Sequence, residues 1–281
     1  MGVDYYFRTG STHAICQDYA LAGESGGIQY TILSDGCSGT PVAGDPGSPH
    51  TDFGSRFLVH STRRHLKEMT EGVFPGDAII TEAHGMNRQA CLSLDALYAT
   101  MIATVRRVDS PYTRVFQTGD GVVASRFRNG EIHYTTVHFE GNAPHYLVYA
   151  VDPRTHDAYL RQFQQVHIVS RIYRPGTGWS EPMETVETID PHMFHRSYIY
   201  SAEHTDLVLT MSDGAESFVK KKAANEPIPL ETVLEHLFAI KNYEGVFLTR
   251  RCNRFLNDFC AKQGWHHTDD LAVTGQYLEA P

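Results

Sequence analysis

Three apolar runs of this chain end in Asp-Gly, and an acidic pair precedes a fourth. They read YTILSDG (Asp35, Gly36), RVFQTGDG (Asp120, Gly121), LVLTMSDG (Asp213, Gly214) and HHTDDLAV (Asp269, Asp270). A strand that closes on Asp-Gly holds a carboxylate at the rim of a sheet, beside a turn that glycine takes cheaply. One such ending is usually a plain hairpin turn. Two of the three depart from that pattern. A Gly/Pro-rich stretch and a helical pattern follow Asp35-Gly36, and AESFVKKKA, which also reads as helical, follows Asp213-Gly214. Asp120-Gly121 leads straight into VVASRFR, so a hairpin explains it as well as a site does. Asp18, in HAICQDYAL, is a fifth acidic point. Carboxylates that converge repel one another and stay ionised together only with cations between them. The pattern points to a β-rich core with an oxygen-lined metal site at one edge.

The remaining sequence fills in that core. GIQYTILS (27–34) reads as a strand and CSGTPVAGDPGSP (37–49) as loop. Thr51 or Asp52 is placed to cap a helix over 51–69, and a second helix is expected near 77–91. LYATMIATVRR and TRVFQTG read as strands, and VVASRFR and EIHYTTV flank the hairpin signal Asn129-Gly130. Over 144–200 the runs YLVYAV, HIVSRIY and RSYIYS alternate aromatic with polar residues. More antiparallel strands are expected there, broken by the loop RPGTGWSEP (174–182). LVLTMS (207–212) is a central strand, 230–240 and 245–263 are helices, and LAVTGQYL (271–278) is a closing strand. Helices segregated from a stack of antiparallel strands make an α+β layered domain. One domain over 1–281 is expected, with 137–200 as an atypical strand-rich segment within it.

Bulk properties exclude several classes. The chain has 281 residues, 41% hydrophobic and 20% charged, enough to bury a core without staples. Its 33 acidic and 24 basic residues give a net charge of -9, the wrong sign for a nucleic-acid binder. No run is long and apolar enough to span a bilayer, so no membrane partner is expected. MGVDYYFRTGSTHAICQD lacks the basic and apolar regions of a signal peptide. Five cysteines without a Cys-x-x-Cys argue against a disulfide framework and for a reducing cytoplasm. His192 and His195, and the pair His266 and His267, read more simply as hydrogen-bonded histidines than as zinc ligands. Gly-rich phosphate loops, G-x-S-x-G and H-E-x-x-H are all missing. Nothing in the sequence sets an oligomeric state.

In order and spacing, the acidic points resemble the metal-dependent serine/threonine protein phosphatases of type 2C, in particular their bacterial branch. The family's Arg-x-x-Asn-Glu-Asp is matched by the stretch from His13 to Gln17 and Asp18, and its Asp-Gly-x-Gly-Gly by Asp35-Gly36-Cys37-Ser38-Gly39. A Thr-bearing strand and Gly-Asp-Ser correspond to Thr100 and Gly119-Asp120-Gly121. Ser-Asp-Gly is matched by Ser212-Asp213-Gly214, and Asp-Asn-x-Thr by Asp269-Asp270-Leu271-Ala272. The likeness runs from about residue 8 to residue 278.

The resemblance implies a four-layer αββα sandwich, two antiparallel sheets between helical layers, with the metal site at one end. It implies two Mn²⁺ or Mg²⁺ ions and an optional third. Asp35 would bridge the pair, and the Gly36 carbonyl would ligate the second ion. Asp213 and Asp269 would complete the first ion's ligands, Asp18 would hold metal-bound waters, and Asp120 would serve the third ion together with Asp213. Oxygen-only ligation suits these metals. The implied activity is hydrolysis of phosphoserine and phosphothreonine monoesters in a phosphorylated protein, by direct attack of a water activated between the metals.

Four departures bear on that expectation. His13 stands where the family grips phosphate with Arg, and an imidazole cannot reproduce a bidentate guanidinium fork. Arg8 is the other candidate grip. Gln17 replaces a Glu, and Asp270 replaces an Asn. Cys37 stands where some members place a His proposed to protonate the leaving group. These changes keep open a catalytically weak binding or regulatory module on the same fold, and a phosphatase of a small phosphorylated metabolite. A histidine-ligated zinc hydrolase is the remaining alternative.

Overall fold

In the computed structural model, residues 2–37, 50–176, 183–190, 195–221 and 225–280 are described. The chain opens with strands β1 (Val3–Arg8), β2 (Tyr19–Ser25) and β3 (Ile28–Ser34). Helices α1 (Thr51–Thr62), α2 (Leu66–Thr70) and α3 (Gly76–Gln89) come next. Four strands follow: β4 (Met101–Arg107), β5 (Tyr112–Thr118), β6 (Gly121–Phe127) and β7 (Ile132–Phe139). Helix α4 (Pro153–Gln162) precedes β8 (Val166–Tyr173), β9 (Met183–Ile189), β10 (Arg196–Ser201) and β11 (Thr205–Met211). The short strands β12 (Phe218–Lys220) and β13 (Glu226–Pro227) lead to α5 (Leu230–Phe238) and α6 (Phe247–Asn253). A π-helical turn, Arg254–Cys260, carries α6 into α7 (Ala261–Gln263). Strands β14 (Trp265–His267) and β15 (Leu271–Tyr277) come last.

The long strands form two antiparallel sheets, ordered β1-β15-β11-β6-β7-β8-β9 and β10-β5-β4-β3-β2. Alternation in the strands decides how these sheets meet, because successive side chains point to opposite faces. Leu33, Ile102 and Val115 of the smaller sheet bury against Val123, Val208 and Ala272 of the larger. The opposite face of the larger sheet carries Leu207, Leu209 and Met211, covered by Leu234, Leu237, Phe247 and Phe255 of the C-terminal helices. The opposite face of the smaller sheet carries Ile32, Met101, Ala103 and Phe116, covered by Val59, Leu66 and Met69. The result is the four-layer αββα sandwich expected from the sequence. Buried hydroxyls also cross between the sheets. Thr274 on β15 lies 2.7 Å from Thr31 on β3 and 2.7 Å from Thr210 on β11, so each polar group has a partner.

Several local expectations are corrected. YLVYAV is not a strand but a 3₁₀ turn, Leu147–Ala150, with Tyr146, Val148 and Tyr149 buried in the helical layer. A short apolar run does not distinguish those two outcomes by its period. Helix α4 was not expected. Its start is signalled by Asp152, which accepts from Thr155 N, and by Pro153 in the first turn. AESFVKKKA does not continue as a helix: a 3₁₀ turn, Asp213–Glu216, gives way to β12. The helix expected over 51–69 divides at a 3₁₀ turn, Arg63–His65, and neither Thr51 nor Asp52 caps it, since His50 precedes its first residue. Most of the expected 37–49 loop, the 177–182 part of the expected 174–182 loop, and His192 lie outside the described residues.

Candidate active site

The site forms where strands end. Pairing continues past β3: Thr100 N donates to Asp35 O at 2.8 Å, and Gly36 bridges Ala99. This holds Asp35 at the rim of the smaller sheet. Asp213 begins the turn after β11, where Ser212 N donates to Ala272 O at 3.1 Å. Asp120 sits in the hairpin between β5 and β6, so that Asp-Gly is both a turn and part of the site. Asp18 precedes β2 and is fully buried, its Oδ2 accepting from Ser212 Oγ at 2.7 Å. The Asp269 amide donates to Ser217 Oγ at 3.1 Å.

These carboxyls lie close enough to perturb one another. Burial pushes Asp18 up to about 8, with the charges of Asp213 and Asp270 adding to the rise. Burial, then Asp18, Asp213 and Asp120, hold Asp35 well above the carboxylate range. Asp120 is raised well above it by burial and Asp213, and Asp213 is raised by burial and Asp269. The Asp35 carboxyl neighbours those of Asp18 and Asp213. Burial and mutual repulsion favour the protonated form of such groups when no cation lies between them. No three Asp, Glu, His or Cys side chains among the described residues are arranged to hold a metal ion as they stand. The donor set nevertheless fits a hard divalent cation: several carboxylate oxygens, and an Asp18 Oδ1 that is buried with no hydrogen-bond partner.

Asp270 does a different job from its neighbours. Its Oδ1 accepts from Gly10 N at 2.7 Å and its Oδ2 from Gln17 N at 2.6 Å, which ties the 10–17 loop to the start of β15. Two glycines let backbones close around this point. A Cβ on Gly10 would lie 2.2 Å from the Asp269 carbonyl carbon, and one on Gly214 would lie 1.7 Å from the Asp270 oxygen. His13 is drawn into the same acidic pair, with Nε2 3.5 Å from Asp269 Oδ1 and Nδ1 3.1 Å from Asp270 Oδ2. Burial alone would lower its pKa, but Asp270 and then Asp269 outweigh that and raise it. Gln17 Nε2 donates to Thr51 Oγ1 at 2.8 Å. The structure does not bring Arg8 to the cluster: it is exposed and donates to Asn257 Oδ1 at 2.8 Å. Cys37 lies beside the buried Tyr146 hydroxyl.

A cleft of about 320 Å³ opens on the cluster, lined by Asp120, Val137, His138, Asn142, Asp213, Glu216, Ser217 and Asp269. Five of these, Val137, His138, Asn142, Glu216 and Ser217, were not singled out from sequence. Glu216 and Ser217 are legible in hindsight, because they follow Asp213-Gly214 within a single turn. Burial, and then the Asp213 charge, push Glu216 up to about 7. His138 and Asn142 belong to no motif.

A two-sheet sandwich whose strand ends gather carboxyls at an open cleft is the architecture of a type 2C phosphatase. A family model described as protein phosphatase 2C matches residues 10–257, and the chain belongs to that family. Similar solved structures are bacterial. One is the Mycobacterium tuberculosis serine/threonine phosphatase PstP/Ppp, at 15% identity and a TM-score of 0.50, covering 99% of this chain and 98% of that one. Another is the phosphatase domain with a regulatory fragment of the Bacillus subtilis cell fate determinant SpoIIE, at 13% identity and a TM-score of 0.51. That match covers 100% of this chain and 63% of the other. At such identities the likeness speaks to fold. No curated protein sequence matches the chain. No helix among the described residues is long and apolar enough to cross a membrane.

Proposed function

We propose that the chain, as one domain over 1–281, is a phosphatase of phosphoserine and phosphothreonine monoesters in phosphorylated proteins, dependent on Mn²⁺ or Mg²⁺. One observation carries this reading: buried Asp18 and half-buried Asp35, Asp120 and Asp213 gather at one point, and among the described residues no lysine or arginine lines their cleft. Like charges at such a site need a cation rather than one another. Asp35, the Gly36 carbonyl, Asp213 and Asp269 would hold two ions, with Asp18 orienting water and Asp120 serving an optional third. Bound there, the ions supply an activated water and a charge sink for the phosphoryl oxygens. The chain's own part is positional. The β3 and β11 ends fix Asp35 and Asp213, Ser212 orients Asp18, and Asp270 holds the loop that carries Asp18 and His13. A reducing, cytoplasmic setting belongs to this reading, on the odd number and spacing of the cysteines.

The pairing of His13 with Asp269 and Asp270 favours a second reading, a catalytically weak module, because it occupies the position where the family keeps a free guanidinium. Hydrolysis of p-nitrophenyl phosphate by the purified protein, with EDTA, Mg²⁺ or Mn²⁺, separates the two. Metal-dependent turnover that falls about a thousandfold or more in Asp35→Asn supports the phosphatase. Turnover that survives that substitution refutes the site. Mn²⁺ binding without turnover favours the module.

A further inference from the structure

A phosphoryl dianion entering this cleft meets four acidic side chains, those of Asp120, Asp213, Glu216 and Asp269. Cations offset that on one side. The remaining phosphoryl oxygens need N–H donors, and the usual candidates are occupied elsewhere. Arg8 is bonded to Asn257 outside the cleft, and His13 sits between Asp269 and Asp270. Arg171 on β8 is held by Tyr134, Glu184 and Glu231. The Ser217 hydroxyl donates to Gly214 O at 2.8 Å. Among the described residues that line the cleft, two side chains still offer N–H donors, one at the end of β7 and one in the turn after it.

We propose that His138 and Asn142 grip the substrate's phosphoryl group, moving the role of the missing arginine to the β7 wall of the cleft. This rests on the phosphatase reading above. The Thr136 hydroxyl lies 2.9 Å from His138 Nε2, and when it donates there the ring's proton sits on Nδ1, available to a phosphoryl oxygen. Asn142 supplies an amide NH₂ from a residue at φ 53, a left-handed conformation that Asn tolerates better than most. The turn is fixed from outside. Gln164 N donates to Glu140 Oε2 at 2.9 Å, Glu140 N donates to Gln165 O at 3.1 Å, and Tyr159 hydroxyl donates to Ala143 O at 2.9 Å. A turn whose backbone is held this way needs little ordering when a ligand binds. The same anchoring gives the 137–165 part of the atypical segment a purpose: it is the wall that carries the grip.

The test is calorimetric titration of inorganic phosphate into Mn²⁺-loaded protein, as wild type, His138→Ala, His138→Gln and Asn142→Ala. Each alanine variant is expected to weaken phosphate binding about tenfold or more, the loss of one hydrogen bond to a charged group. His138→Gln, which keeps a donor, should recover most of the loss, and Mn²⁺ affinity should stay unchanged throughout. Phosphate binding equal to wild type in both alanine variants overturns the proposal. So does a parallel fall in Mn²⁺ affinity, or a wild type that binds no phosphate. Turnover is read separately. Phosphate binding that depends on these residues in a protein without turnover overturns the phosphatase reading and leaves the grip standing.

Discussion

At the residue scale, Asp270 shows that adjacent acidic residues can have opposite duties. Asp269 opens onto the cleft, whereas Asp270 is buried and accepts from two backbone amides. Asp270→Asn restores the family's usual residue but removes one of those acceptors. A buried N–H left unpaired costs about 1–3 kcal/mol. Urea unfolding in EDTA should show a loss of that size, and an unchanged midpoint would mean that the loop is anchored elsewhere. The sequence placed Asp18, Asp35, Asp120, Asp213 and Asp269 as candidates because each sits beside a legible strand edge or apolar run. It gave no hint of His138 or Asn142. Their place in the cleft depends on how β7 stacks beside β6, a tertiary fact with no local pattern.

At the element scale, the turns at the strand ends carry the proposed site residues. Gly214 shows how little room they leave, since its missing Cβ would press on the Asp270 carbonyl oxygen. Gly214→Ala should therefore destabilise the fold by about 1–3 kcal/mol through overpacking. It should also raise the Mn²⁺ concentration needed for half-maximal turnover, because Asp213 moves with the turn. A variant with wild-type metal dependence would separate Gly214 from the site. The long strands were readable because alternation is a strong signal when one face is buried. The misreadings share a cause. In YLVYAV, Tyr146 and Tyr149 pack among the α1, α3 and α4 side chains, so the alternating letters answer to a helical layer and not to a pleat. AESFVKKKA lost its helix to pairing with β14, which arrives from more than forty residues downstream.

At the scale of the whole molecule, the buried carboxyls set a pH dependence for the metal-free protein. Asp18, Asp35, Asp120 and Asp213 all have raised pKa values when folded, Asp18 at about 8. The folded state thus keeps protons that the unfolded chain releases from about pH 4 upward. Their contribution to stability is greatest below that pH and is lost progressively as pH rises toward 8. The melting temperature of EDTA-treated protein should fall across this window, and Mn²⁺ should restore it most at the alkaline end. A flat profile would mean that the carboxyls are not co-buried in solution.

Strand β15 lies between β1 and β11 in the interior of the larger sheet, and it is the last of that sheet's strands in the chain. During synthesis, then, β1 and β11 must wait with bare edges for a partner that has not yet been made. Until it arrives, the acidic site lacks Asp269 and its loop lacks the Asp270 anchor. The larger sheet therefore closes in a late step that joins strands far apart in the chain.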